Sequence, residues 1–296
     1  MRQVPLFEDP EFDEARDLAG LAPDVARFVR DMRAHGGALI ELGEGAPELC
    51  DRAVAETDPL LTREGRVHDA WRRSPAVRRL ALWPKVHAYL RAAYGREPFA
   101  FQTLNFRQGS QQHAHSDMIH FSSLPERFMC GVWIALEDVK PGSGPLVYYE
   151  GSHRLPVATM RDVGFNGGAA THTDYERHYE PRFGERMVAS GLPRHELLIP
   201  KGWAFVWAAN LAHGGSAITD AGSTRRSLVV HCYFEDGYYF TPMFSDMEAG
   251  RLKPRLPPDI RTGWWRWPKR EGRRAAVPWR SVAAALWRDL AHRPRG

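Results

Sequence analysis

From Phe99 to Phe234 the chain is broken by glycine and proline into short β-like segments. This punctuation constrains the fold more than any other feature. Segments near 99–107, 115–121, 128–136, 145–149, 195–199, 203–208 and 225–234 read as strands separated by turn signals, the pattern of an antiparallel sandwich or barrel, here a jelly roll. The preceding third is helical in texture. Pro23 opens a stripe of Val25, Phe28, Val29 and Met32 that Gly36-Gly37 ends. A short strand follows at 38–42, then a helix over 46–57, one from Ser74-Pro75 through Leu82, and another opened by Pro84. The expected architecture is mainly β with flanking helices, in one domain. Residues 1–98 form a helical covering layer, 99–235 a jelly-roll core, and 236–296 a basic extension that ends in a helix from Pro278 to Ala291, with Trp279, Val282, Leu286 and Leu290 at helical spacing. The stretch 155–194 reads as the longest irregular region, a lid or loop over the open end of the barrel.

Within the β region, His115-Ser116-Asp117 puts an imidazole and a carboxylate two residues apart. On a strand both point to the same face. Together they supply two ligands of a facial 2-His-1-carboxylate metal site, which leaves coordination positions open; the third ligand must come from a distant strand. Two rival pairs, His172-Thr173-Asp174 and His178-Tyr179-Glu180, lie in a polar, Gly-led stretch with no strand periodicity, which favours His115 and Asp117. Further on, Asn210-Leu211-Ala212-His213-Gly214-Gly215 sets a histidine just past an apolar strand, where glycines allow close approach to the backbone. Arg225 and Arg226 open the next strand and face opposite ways; an arginine there suits a bidentate pair with a carboxylate.

Composition removes several alternatives. No apolar run approaches the ~20 residues of a membrane span, and the N-terminus lacks the apolar core of a signal peptide. The three cysteines, Cys50, Cys130 and Cys232, are odd in number and widely spaced, so they read as free thiols in a reducing cytoplasm. The net charge of +4 is unevenly spread: residues 251–296 carry +10, leaving −6 for the rest. No nucleic-acid-binding motif accompanies that basic tail. Its Trp264-Trp265-Arg266-Trp267 run reads as aromatic packing on the outer sheet with solvated arginines, in a possible homodimer contact. A weak peripheral touch of the last helix on an anionic surface is the alternative.

Taken together, His115-x-Asp117, the run from Trp133 to Leu146, Gly151-Ser-His-Arg154, His213-Gly-Gly215 and Thr224-Arg-Arg-Ser-Leu-Val229 resemble the phytanoyl-CoA dioxygenase family of Fe(II)/2-oxoglutarate oxygenases over roughly 99–235. The resemblance implies a double-stranded β-helix with Fe(II) on His115, Asp117 and His213. It implies 2-oxoglutarate as cosubstrate, its far carboxylate on Arg225 with Arg226 as the fallback, and O₂ as oxidant. Trp133 matches a family tryptophan beside the cosubstrate, and Gln112 is a further candidate for a hydrogen bond to it. Halogenating relatives have a small residue in place of the carboxylate; the presence of Asp117 therefore favours hydroxylation or a related oxidation of a small molecule, and the resemblance to bacterial members implies a role in secondary-metabolite or glycan biosynthesis. Desaturation, cyclisation or epimerisation with the same cofactors is the nearest alternative, and a non-catalytic cupin-like metal or sugar-binding module the more remote one.

Overall fold

A computed structural model describes residues 2–63, 65–165 and 168–291, with side chains through Trp287. A short helix α1 (Glu14–Asp17) precedes α2 (Pro23–His35), which carries Pro23 in its first turn and buries Ala26, Phe28, Val29 and Met32. Then come β1 (Gly37–Glu41), α3 (Ala46–Thr57), β2 (Arg66–His68), α4 (Pro75–Ala81) and α5 (Pro84–Tyr94). The Ser74 side chain accepts a hydrogen bond from the Val77 amide at 3.0 Å, closing the first turn of α4. The helices begin where proline and capping signals place them because those signals act within one turn.

The β region comprises β3 (Pro98–Phe106), β4 (Ser122–Leu124), β5 (Met129–Ala135) and β6 (Leu146–Tyr149), then, after two helices α6 (His172–Asp174) and α7 (Glu180–Ser190), β7 (Arg194–Glu196), β8 (Trp203–Ala208), β9 (His213–Gly215), β10 (Ser227–Phe234) and β11 (Tyr238–Phe240). One antiparallel sheet runs β1-β8-β5-β10-β3-β2; a smaller one runs β7-β6-β9, and β4 pairs with β11. This is the expected jelly roll.

Alternation along the central strands divides two cores. Leu228, Val230, Cys232 and Phe234 of β10 join Val132, Ile134, Ala204 and Val206 beneath the helices. Trp133, Phe205, Trp207 and Val229, one residue out of phase, fill the barrel interior. All eight residues of β10 are therefore buried, half on each face. A one-residue slip would turn His231 into the apolar layer beneath the helices and carry Leu228 and Val230 into the barrel interior, so the register is fixed by the polar and apolar groups that each face accepts.

Two expectations are corrected. Residues 115–121 do not form a strand: the backbone is extended through Ser116 and then turns into a 3-10 helix at Asp117–Ile119. The Ser116 hydroxyl accepts from the Met118 amide at 3.2 Å and donates to the Ala209 carbonyl at 3.1 Å, which bends the chain there. The stretch 155–194 is not irregular but mostly helical: a 3-10 turn at Met160–Val163, α6, a π-helical turn at Tyr175–Tyr179, and α7. Capping boxes at Thr159/Asp162 and Thr171/Asp174 start two of these. Tyr175, Tyr179, Phe183 and Met187, four residues apart, bury one continuous stripe.

Beyond β11 the chain forms a small hairpin of β12 (Lys269–Arg270) and β13 (Arg273–Arg274), then α8 (Trp279–Ala291). Trp265 and Trp267 are half-buried, and the Trp267 indole donates to the Ala275 carbonyl at 2.8 Å. Trp264, Trp279 and Trp287 are exposed, so aromatic packing accounts for only part of this tail. The Leu290 side chain lies outside the described residues. Among the described residues no helix is long and apolar enough to cross a membrane, and all three cysteines are free and buried.

Candidate metal centre and cosubstrate pocket

The site starts from a backbone bridge. The His115 amide donates to the His213 carbonyl and the His213 amide to the His115 carbonyl, each at 2.9 Å, which extends the small sheet beyond β9. Two imidazoles about a hundred residues apart in sequence thereby lie with ring centroids 4.5 Å apart. Gly214 permits the approach: a Cβ at this position would sit 2.8 Å from the Gln112 carbonyl oxygen. Because Ser116 is extended, Asp117 projects to the same side as His115 even though the strand ends there. The ligand atoms of His115, Asp117 and His213 all lie within 4.8 Å of one another, and all three residues are buried.

Neighbouring groups orient each ligand. His115 Nδ1 faces the His113 carbonyl oxygen and His213 Nδ1 the Leu211 carbonyl oxygen, both at 2.9 Å. A proton on Nδ1 satisfies each carbonyl and leaves the Nε2 lone pair for a metal. The Trp207 indole N–H donates to Asp117 Oδ2 at 2.8 Å. Burial pushes the His213 imidazole down to about 4, against the pull of Asp117. Burial would raise the Asp117 carboxyl, but the surrounding His213, His231 and His115 imidazoles and the Trp207 hydrogen bond hold it below the usual carboxylate range. Neutral imidazoles and an ionised carboxylate are the forms that bind a metal, and two histidines with one carboxylate fit Fe(II).

Arg225 stands just before β10 and is 3% exposed. Its Nη1 donates to Ser227 Oγ at 3.0 Å and its Nη2 to the Gln108 carbonyl at 3.4 Å, while Nε has no hydrogen-bond partner. The guanidinium carbon lies 5.3 Å from the centre of the Trp133 ring and 5.9 Å from that of Phe106. Burial pulls its pKa down to about 10, which leaves it charged at neutral pH. Arg226 turns outward to Asp58 and Glu137, so only Arg225 faces the interior.

A cavity of about 360 Å³ joins these groups; His115, Asp117, His213, Trp133 and Arg225 all line it. Gln112 is at its mouth, exposed, with its amide drawn to Glu180 on α7 at 3.3 Å. The rival pairs serve other purposes. Asp174 closes the capping box of α6, His178 packs on Phe165, and Glu180 accepts from Gln112 and Tyr175. His172 does reach the cavity, from the lid. Trp207 and Gln102 also line the cavity, and neither stands in a recognisable motif. Trp207 shares a strand face with Phe205, so alternation in 203–208 carries a signal for it; Gln102, which meets His231 Nδ1 at 2.9 Å, carries none.

Comparison with known proteins bears on the fold first. The carbocyclase SnoK from nogalamycin biosynthesis, described as non-heme and alpha-ketoglutarate dependent, superposes with a TM-score of 0.57 at 18% identity over 80% of this chain and 93% of its own. EctD from S. alaskensis, solved with 2-oxoglutarate and 5-hydroxyectoine, gives a TM-score of 0.56 at 17% identity over 85% and 86%. HygX from Streptomyces hygroscopicus, solved with nickel and 2-oxoglutarate, gives 0.52 at 17% identity over 73% and 88%. No curated protein sequence matches significantly. The family model for phytanoyl-CoA dioxygenase, however, matches residues 24–227, a span that includes most of the helical layer together with Gln112, His115, Asp117, Trp133, His213 and Arg225. The chain thus belongs to the phytanoyl-CoA dioxygenase family, whose members are Fe(II)/2-oxoglutarate-dependent oxygenases.

Proposed function

We propose that this protein hydroxylates a small molecule, with Fe(II) held by His115, Asp117 and His213 and with 2-oxoglutarate anchored through its far carboxylate on Arg225. The observation that carries this reading is Arg225. A buried guanidinium with an unpartnered Nε, and with no carboxylate of the described residues at ion-pair distance, opens into the same cavity as the three metal-binding groups. A metal-storing or sugar-binding module has no use for such a group; a keto-diacid cosubstrate does.

Bound there, iron and cosubstrate supply the oxidation: O₂ is consumed as 2-oxoglutarate becomes succinate and CO₂, and a substrate C–H becomes C–OH. The chain's own residues bind, orient and exclude. Arg225 fixes the cosubstrate's far end, and Trp133 walls that end of the cavity. The carbonyls of His113 and Leu211 aim the two imidazoles. Substrate enters past Gln112, His120 and His172 beneath the lid, into a space whose volume suits a small molecule. The buried free thiols of Cys50, Cys130 and Cys232 support a cytoplasmic location.

Anaerobic addition of Fe(II) and 2-oxoglutarate is expected to give a weak visible charge-transfer band. His115→Ala abolishes it and His172→Ala leaves it. A band that survives the first substitution and vanishes with the second would reject the ligand assignment. Aerobic turnover with candidate substrates should release succinate in step with an oxygenated product; a product with no added oxygen would move the reading to ring closure, desaturation or epimerisation.

A further inference from the structure

One side chain on β8 touches two of the three metal-binding residues. The Trp207 indole N–H donates to Asp117 Oδ2 at 2.8 Å, and its ring packs against the His213 imidazole with centroids 4.4 Å apart. Trp207 can reach both because of the residue beside it. Across the large sheet Trp207 is the register partner of Gly131 on β5, and Gly131 is the partner of His231 on β10. The indole lies across Gly131, so that a Cβ at this position would collide with the ring. His231 closes the other side, with Nε2 at 3.7 Å from the same carboxylate oxygen. The row tryptophan, glycine, histidine thus forms a slot that receives the Asp117 carboxylate.

We propose that Trp207, seated over Gly131, is a positioning residue for the metal centre: it fixes the plane of the Asp117 carboxylate and braces His213, so that both ligands stand ready before a metal arrives. The inference rests on His115, Asp117 and His213 being the metal ligands. A carboxylate has a soft terminal torsion and swings between one-oxygen and two-oxygen binding unless something holds it. An indole N–H is a donor only, so at this distance it permits one orientation of Asp117 and competes for none of the metal's positions. Groups that hold ligands in this way commonly change metal affinity by about 10- to 100-fold when removed. A tryptophan that only filled the interior would change stability instead.

The test is anaerobic Co(II) titration of the full-length protein, followed by its visible d–d absorption, in the wild type, Asp117→Ala, Trp207→Phe and Gly131→Ala. The wild type should bind Co(II), and Asp117→Ala, left with the two imidazoles, should bind it more weakly. Trp207→Phe, which keeps a ring but loses the N–H, should weaken binding by about 10- to 100-fold and alter the d–d spectrum, while circular dichroism stays native. Gly131→Ala, which displaces the indole without removing it, should shift affinity and spectrum in the same direction. It also keeps the question answerable if Trp207→Phe fails to fold. Wild-type affinity and spectrum in Trp207→Phe, with only the unfolding temperature of the metal-free protein reduced, would overturn the proposal and leave the ligand assignment intact. Absence of Co(II) binding by the wild type, or equal binding by Asp117→Ala, would overturn the assignment and the proposal with it.

Discussion

At Arg225 a buried guanidinium keeps one N–H without a partner. An unsatisfied buried donor costs about 1–3 kcal/mol, a cost that an incoming carboxylate offsets. Arg225→Ala is therefore expected to raise the half-saturating 2-oxoglutarate concentration by about 10- to 100-fold, the loss of one charge-assisted pair. The quenching of tryptophan fluorescence by 2-oxoglutarate would measure it, since Trp133 stands beside Arg225. An unchanged requirement would remove Arg225 from the cosubstrate site. Arg226→Ala, which loses only an outward contact with Asp58 and Glu137, should leave the requirement unchanged. The family resemblance favours Arg225 and keeps Arg226 as the fallback; the two separate because alternation sends adjacent side chains to opposite faces, and only the barrel defines which face is inside.

Two elements show how local structure sets the site. The first is the close pairing of β9 with the His115 segment. Gly214→Val would push this segment away through the Gln112 and His113 carbonyls, 2.8 and 3.1 Å from its Cβ. We expect native circular dichroism but roughly 100-fold lower turnover, the effect of misplacing a catalytic group by about 1 Å; undiminished turnover would contradict the role given to the bridge. The second element is the turn around Ser152–Arg154. Burial, with Arg154 beside it, pushes the His153 imidazole down to about 4. A folded-state pKa below the ordinary 6.5 means that the unfolded chain takes up the proton first. Stability is therefore lost as pH falls from about 6.5 towards 4, by about 2 kcal/mol between pH 7 and pH 5. Denaturant unfolding of His153→Gln should show a shallower decline over that interval, and an identical slope would dissociate His153 from the acid sensitivity. The helices of 155–194 do not show as such in the sequence, although Tyr175, Tyr179, Phe183 and Met187 stand at four-residue spacing. Polar residues between them hide this stripe from a search for strands.

For the whole molecule, metal binding and stability are linked. The three proposed ligands come from two segments that bridge only in the folded barrel, so the unfolded chain offers no comparable site and a metal held by them would bind the native state alone. Divalent metal at a hundred times its dissociation constant should add about 2.7 kcal/mol and raise the unfolding temperature by about 5 °C. His213→Ala should remove that increment; an equal rise in the variant, read by calorimetry, would place the metal elsewhere.

Helix starts at Pro23, Pro75 and Pro84 and the strands at 128–136 and 203–208 were present in the linear chain, because caps, turns and side-chain period act over a few residues; the candidate trio of His115, Asp117 and His213 was present as motifs that match a family pattern, not as a product of strand period. The 3-10 turn at Asp117 was not, since it depends on Ser116 meeting the Ala209 carbonyl, 93 residues away. Nor was the contact of Trp207 with Asp117, 90 residues apart. Such contacts follow from the register among β8, β5 and β10, which burial on both faces of the sheet decides and no local spacing encodes.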